Sequence, residues 1–592
     1  MRPTCVVPWR LTRRWYYRRS VIHAVNQGAE QFGVTHAWAF AALSIQTYIL
    51  ETGRLADAVG ASLLVDQLTG DLTDGDDDNS LLAFVMSASK VTLGTDLRFA
   101  RRGGGAFIAV FDDREALCRT RLLWQAALHQ NAPGLRWADG LGSGTHSGAA
   151  VEAARMACED NGRVDLARLP EAGPLALRVA RTGQPASVRR SLGEKRTEAL
   201  DAATEARRRH GATRAGQGRL TDRFSTEPGL AWPRNMEPAD EQEGGTGDRD
   251  PIKNVALHAQ RFPFLSDDHE VAILHADGNG VGTLLARIRN ETAPTNYLKV
   301  HEAFSKAVAE ATRQAAFEAT QRSLLPYARR NPDGTRTVPA RPLVLGGDDL
   351  TLIVRADLAL EFATVFLNEL ESRTSKMLKD VRTGGKKLGT LTATCGIAFV
   401  KSTFPFHEGV KLAEWLCAEA KQAIQQEAKT ATGDGRKGPL SAIAMHRVTT
   451  ALADAGRPTV HLDGKTAPMG HVAYVFPPDG RKAGLPCWKD LDTLAQLLGT
   501  EASSRGPLRT LLIDMQQSPG MARERYRRWR SGPRRNAQAN EALDACLQRF
   551  GIDKGHELPI GASGSPWSDA LLLAELKGAL ERHKKLQDES AP

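Results

Sequence analysis

The chain lacks any apolar run long enough to cross a bilayer, which takes about 20 residues. Its nearest approach, 37–50, is broken by Ser44, Gln46 and Thr47. The basic start, MRPTCVVPWRLTRRWYYRRS, has no apolar core behind it and does not read as a signal peptide. Seven cysteines are scattered at 5, 118, 158, 395, 417, 487 and 546 with no CxxC pair. That excludes a zinc ribbon and a disulfide framework, and fits a reducing cytoplasm. Aromatics are sparse at 6%. No Walker loop, HExxH or GxSxG occurs. The acidic stretch DLTDGDDDNS (71–80) has Asn79 where an EF-hand loop needs glycine and Val85 where it needs its bidentate glutamate, so it reads as a solvated loop.

What the chain does have is length, glycine and positive charge. Its 592 residues predict two to four domains, and 54 glycines predict many turns. A net charge of +9 makes a polyanionic partner plausible. Part of the excess lies in MARERYRRWRSGPRR (521–535), where Tyr526 and Trp529 sit among arginines. That pattern suits phosphate contact with base stacking, and equally a solvated helix face.

The order of elements is clearest after a charged, Pro- and Gly-rich boundary at 194–254. EVAILHA (270–276) predicts a buried strand, followed by DGNGVG and helical sequence to about 324. There Phe304, Val308, Ala311 and Ala315 recur at helix spacing. RPLVLGGDDLTLIV predicts strand–turn–strand, then come a helix, the strand TLTATCGIAFV and a further helix. This is the order of a ferredoxin-like palm. The first region repeats it: AWAFAALSIQTYI as strand, a helix, DLRFARRGGGAFIAVFDD as strand–turn–strand, then a helix. Ala106 and Phe107 stand there in place of Asp348 and Asp349. The expected fold is α+β: two ferredoxin-like palms, the first degenerate, and a C-terminal helical domain. The boundaries are 1–160 for the first palm, 161–255 for a linker, 256–428 for the second palm and 429–592 for the helical domain.

GGDD alone is an ordinary hairpin turn, since glycine supplies positive φ and aspartate favours turns. In a palm, however, the strand ending in Asp277 runs beside that turn. Three carboxylates converging there repel one another unless a cation joins them. Such hard oxygen ligands suit Mg²⁺ or Mn²⁺, two ions in a phosphoryl-transfer site. DGNGVG, between strand and helix, offers backbone N–H groups to phosphate.

HADGNGVG and LVLGGDDLTLIV, with CGIAFVKSTFPFHEGVKLAEWLCAEAK downstream, resemble the polymerase-type palm of the large subunit of type III CRISPR effector complexes. SIQTYILETGRLADAVGASLLVDQL and RRGGGAFIAVF resemble that family's degenerate first palm, and SSRGPLRTLLIDMQ the start of its helical domain. The resemblance implies an enzyme that polymerises ATP into cyclic oligoadenylate when target RNA binds, with guide RNA and other effector subunits as partners and no membrane. It implies metal ligation and catalysis by Asp277, Asp348 and Asp349. It gives Gly278, Asn279, Gly280, Gly282, Gly346 and Gly347 to the nucleotide pocket, and Lys421 to a triphosphate or to plain solvation of its helix face. Three departures count. No His-Asp dipeptide is present, so an HD nuclease is not expected. PLALRVARTGQPAS (174–187) matches a zinc region without its cysteines, so zinc is not expected. Asn279 replaces a second acid found in some relatives. The alternatives are a silent RNA-binding scaffold, or a relative of the diguanylate cyclases, in which Leu350 stands where phenylalanine is usual.

Overall fold

The computed structural model describes residues 34–589 except 72–78, 164–172, 174, 192–196, 213–219, 235, 237–260, 266–268, 431–437, 450–458, 463–464, 478–483, 500–504, 534 and 562. The N-terminal basic stretch, most of the acidic loop at 71–80 and 237–254 of the Pro- and Gly-rich boundary lie outside the described residues. Among those described, no helix is long and apolar enough to cross a membrane.

The first unit contains β1 (Thr35–Leu43), α1 (Ile45–Leu50), α2 (Leu55–Thr69) and α3 (Leu81–Ala88). The hairpin of β2 (Leu97–Gly103) and β3 (Ala106–Phe111) follows, then α4 (Arg114–Asn131), β4 (Arg136–Gly144) and α5 (Ser147–Gly162). The sheet order is β2-β3-β1-β4. The strand expected to run to Ile49 stops at Leu43. Ser44 takes a left-handed conformation (φ 53°), and the chain turns into α1. Apolar residues on both faces made that stretch look like a continuing strand, yet Tyr48, Ile49 and Leu50 are buried from a helix.

The piece 194–218, expected as helix, begins as a strand at Thr197–Leu200 and becomes helical over Ala202–Ala212. Asp201 divides the two: its Oδ1 accepts from the Thr204 N–H at 2.8 Å, closing the helix start. In 175–187 a tight loop is closed by the bridge between Arg178 and Pro185, and no cysteine lies there.

The second unit runs β5 (Glu270–Gly278), α6 (Val281–Glu291), α7 (Tyr297–Ser323), β6 (Ala340–Gly346), β7 (Asp349–Arg355), α8 (Ala359–Met377), the short β8 (Arg382–Thr383), β9 (Ala393–Lys401) and α9 (Phe406–Thr430). The order of main elements expected for this unit holds, with the helical stretch to about 324 divided into two helices and short unexpected strands at 329–330, 336–337 and 382–387. Phe304, Val308, Ala311 and Ala315 form the buried stripe of α7. The region after 430, expected to be mostly helical, instead opens with β10 (Ala442–Arg447), which pairs in parallel with β9. The short strand β11 (Tyr474–Val475) then closes the six-stranded sheet, β6-β7-β5-β9-β10-β11. Helices α10 (Trp488–Gly499), α11 (Arg505–Gln517), α12 (Pro519–Arg530), α13 (Ala537–Gln548) and α14 (Trp567–Glu589) complete the chain.

The two units share more than strand order. In each hairpin the register slips at one place, between Phe99 and Arg101 in the first and between Pro342 and Val344 in the second. Counting from the hairpin ends, where Gly103 pairs with Ala106 and Gly346 with Asp349, these are the same position. The register also moves the expected correspondence by one residue: Gly105 and Ala106 stand opposite Asp348 and Asp349. Ala41, paired with Ala106, takes the place of Asp277, paired with Asp349. All three acids of the second unit thus have small apolar counterparts in the first.

Candidate active site

The site lies at the ends of two neighbouring internal strands of the second sheet. Asp277 at the end of β5 and Asp349 at the start of β7 are direct cross-strand partners. His275 and Thr351 form the next pair on the same face, because side chains alternate along a strand. One ligand atom each from His275, Asp277 and Asp349 lie within 4.8 Å of one another. Asp348, in the turn, joins them electrostatically. A Cβ placed on Gly278 would meet the Asp348 Cβ and Oδ2 at 2.9 Å, so the glycine is what lets that carboxylate come so close.

Helix α9 supplies the opposite wall. Gly396 on β9 allows it close: a Cβ there would lie 2.0 Å from the Ala413 carbonyl oxygen. Glu414 and Lys421, seven residues apart, share one helix face. Lys421 Nζ forms an ion pair with Asp277 and donates to the Gly278 carbonyl at 2.9 Å. Its ammonium therefore engages the acidic cluster.

Crowding of negative charge shows in the titration of the turn. Burial, then the charges of Asp277 and Asp349, push the Asp348 carboxyl up to about 7, with the Arg101 guanidinium opposing. Burial and Asp277 likewise push Asp349 up to about 7, against Lys421. Burial holds His275 below the ordinary imidazole range, opposed by Glu414 and Asp277. Burial also raises Glu414. These donors fit a divalent cation, since carboxylates that resist ionising together are relieved by a positive ion between them.

The remaining expected residues divide into two groups. Gly282, Gly346, Gly347, Asp348 and Asp349 line a cavity of about 980 Å³. Gly280 caps α6 in a left-handed conformation (φ 73°) without a side-chain cap, leaving N–H groups of the first turn for a ligand. Asn279, expected in the nucleotide pocket, is buried instead. Its Nδ2 donates to Thr392 Oγ1 at 3.1 Å and to the Leu440 carbonyl at 3.2 Å, and its Oδ1 accepts from Thr394 at 2.9 Å. The side chain ties β5 to β9 rather than facing substrate.

Half of the cavity wall comes from the first unit, including Gln46, Arg101, Gly103 and Gly104. The two glycine turns meet: a Cβ on Gly346 would lie 3.1 Å from the Gly104 Cα. Three polar residues escaped the sequence reading. His275 was legible two residues before Asp277 by strand alternation, and Glu414 seven before Lys421 by helix periodicity. Arg101 comes from a distant segment and no local signal marks it.

The basic stretch 521–535 is not an aromatic platform. Tyr526 and Trp529 are buried against Trp567, and Arg523, Arg525 and Arg530 are paired with Glu557, Asp514 and Asp544. Even the more exposed Arg527 and Arg528 share Glu524.

Residues 270–430 match the family described as Cas10/Cmr2, second palm domain. No curated protein matches the sequence. Among solved structures, the chain is similar to a Csm1–Csm4 cassette in complex with cA4, at TM-score 0.45 and 11% identity over 92% of this chain and 70% of that one. It is also similar to Csm1 of T. onnurineus, at TM-score 0.43 and 13% identity over 94% of this chain and 71% of that one.

Proposed function

We propose, from the premise that residues 270–430 are a Cas10/Cmr2 second palm domain, that this chain is the large subunit of a type III CRISPR effector complex. In that role it polymerises ATP into cyclic oligoadenylate in response to target RNA bound by the complex. The observation that carries the reading is the convergence of Asp277, Asp348 and Asp349 at one end of the palm sheet, with Asp348 and Asp349 on a cavity that the first unit completes, its own turn carrying no acid.

Asp277, Asp348 and Asp349 would hold the divalent cations, Mg²⁺ or Mn²⁺. When bound, such ions lower the pKa of an attacking hydroxyl and offset charge on the transferred phosphate. The chain's own residues position the nucleotides. The N-terminus of α6, capped by Gly280, presents N–H groups to a phosphate. Lys421, which neutralises Asp277 before substrate enters, is placed to exchange that carboxylate for a phosphate oxygen. Arg101 brings positive charge from the opposite wall towards the developing pyrophosphate. The cavity, about 980 Å³, lies at the top of the usual range for small-molecule sites, roughly 300–1,000 Å³.

Incubating the purified protein with ATP or GTP and Mg²⁺ or Mn²⁺, with and without cognate guide and target RNA, tests this reading. The expected product is an adenylate oligomer made from ATP and absent with the Asp348→Ala/Asp349→Ala variant. No product under any condition, or an unchanged product from the variant, overturns it. In the first case a scaffold role is left, and a product from GTP alone points to the diguanylate cyclase relative.

A further inference from the structure

The acids account for part of the cluster, and the imidazole of His275 is left over. Its side chain is 12% exposed, and Nε2 lies 4.0 Å from Asp349 Oδ1. Nδ1 is 3.1 Å from Thr351 Oγ1. The same hydroxyl accepts from Gln46 Nε2 of the first unit at 3.3 Å. With two lone pairs, the Thr351 oxygen can take both N–H groups. A histidine whose Nδ1–H is held in this way presents the bare lone pair of Nε2, the arrangement that orients metal-bound imidazoles. That lone pair is aimed at the two aspartates, not away from them. Glu414 and Lys421 are the other charged groups facing the ring, one of each sign.

We propose that His275 Nε2 is a direct ligand of the cation held between Asp277 and Asp349, and that this nitrogen biases the site towards Mn²⁺ over Mg²⁺. Mg²⁺ strongly prefers oxygen, whereas imidazole nitrogen suits the transition ions. The inference rests on the divalent-cation reading of the site above. It differs from that reading in needing a nitrogen donor, which the three aspartates cannot supply. Thr351 and Gln46 then act as positioning residues, so that a first-unit side chain reaches the metal through two hydrogen bonds.

Electron spin-echo spectroscopy of Mn²⁺ bound to the full chain decides the matter, because a directly bound imidazole gives a ¹⁴N modulation that carboxylates do not. The wild type is expected to show it. His275→Gln is expected to bind Mn²⁺ without the modulation, with the ratio of Mg²⁺ to Mn²⁺ dissociation constants falling about tenfold. Thr351→Val is expected to keep the modulation and weaken Mn²⁺ binding. Mn²⁺ bound to the wild type without nitrogen coupling overturns the inference and needs no variant to do so. Coupling that persists in His275→Gln, or an unchanged metal preference, overturns it as well. A wild type that shows the coupling yet makes no nucleotide product overturns the proposed function and leaves this inference standing. If no Mn²⁺ binds, both fall.

Discussion

Asp348 and Asp349 are held as acids that ionise late, near pH 7, and this has a sign that can be worked out. A carboxyl whose folded pKa is raised binds more protons folded than unfolded. It stabilises the metal-free protein most below the ordinary carboxylate range and loses that contribution as pH rises through about 7. Metal-free protein should therefore lose thermal stability between pH 4 and 8, and Mn²⁺ affinity should climb across the upper half of that window. Asp348→Asn should raise the melting temperature of the metal-free protein at pH 8, by an amount corresponding to about 1–2 kcal/mol after allowing for solvent screening. The same variant should lose nucleotide product. Calorimetry across pH, with and without EDTA, checks both halves; a variant no more stable than the wild type at pH 8 would contradict the charge crowding. Asn279 leads to the opposite expectation. Restoring an acid there, Asn279→Asp, replaces two donors with acceptors facing the Leu440 carbonyl and Thr392. Denaturant unfolding should show a loss of about 1–3 kcal/mol with no gain in metal affinity.

At the scale of elements, the second palm was legible because its strands are short apolar runs bounded by glycine and its helices keep a 3.6-residue stripe. The approach of α9 to the sheet was not legible, because it depends on which atom stands opposite Gly396. The pairing of the acid turn with Asp277 could be read once the order of elements implied a palm, but the inward turn of Asn279 depends on Thr392, Thr394 and Leu440. Element types failed where apolar content ran through a change of conformation, as at Ser44. At 521–535 the helix was legible but its buried face was not, so that Tyr526 and Trp529 belong to the core. Gly396→Ala tests the helix approach: pushing α9 outward should cost about 1–3 kcal/mol by thermal unfolding and weaken Mn²⁺ binding at the same time. Full metal affinity in that variant would show that Glu414 and Lys421 need no such closeness.

Across the whole molecule, the two palms are bound together around the cavity. Arg289 of the second unit donates to Glu152 of the first at 3.0 Å, and Glu152 also pairs with Arg155. Partly buried pairs of this kind fix geometry more than they add stability. The first unit also contributes Arg101, the cation nearest the acid turn across the cavity. Arg101→Ala should raise the KM for ATP about tenfold while leaving Mn²⁺ binding within twofold, since on the proposed function the residue would serve phosphate rather than metal. Steady-state kinetics and metal titration on the same preparation check this, and an unchanged KM would remove Arg101 from the site.

The contact of Gly104 with Gly346 joins the corresponding turns of two like-folded units across the cleft. Each half offers the other a similar turn, yet the carboxylates at the turn belong to the second unit alone, and Arg101 faces them from the first. A cleft of matched shape and unmatched charge has a direction built into it. On the proposed function, nucleotides bound on its two sides would not be interchangeable, and a chain growing across it would have one end fixed at the acids.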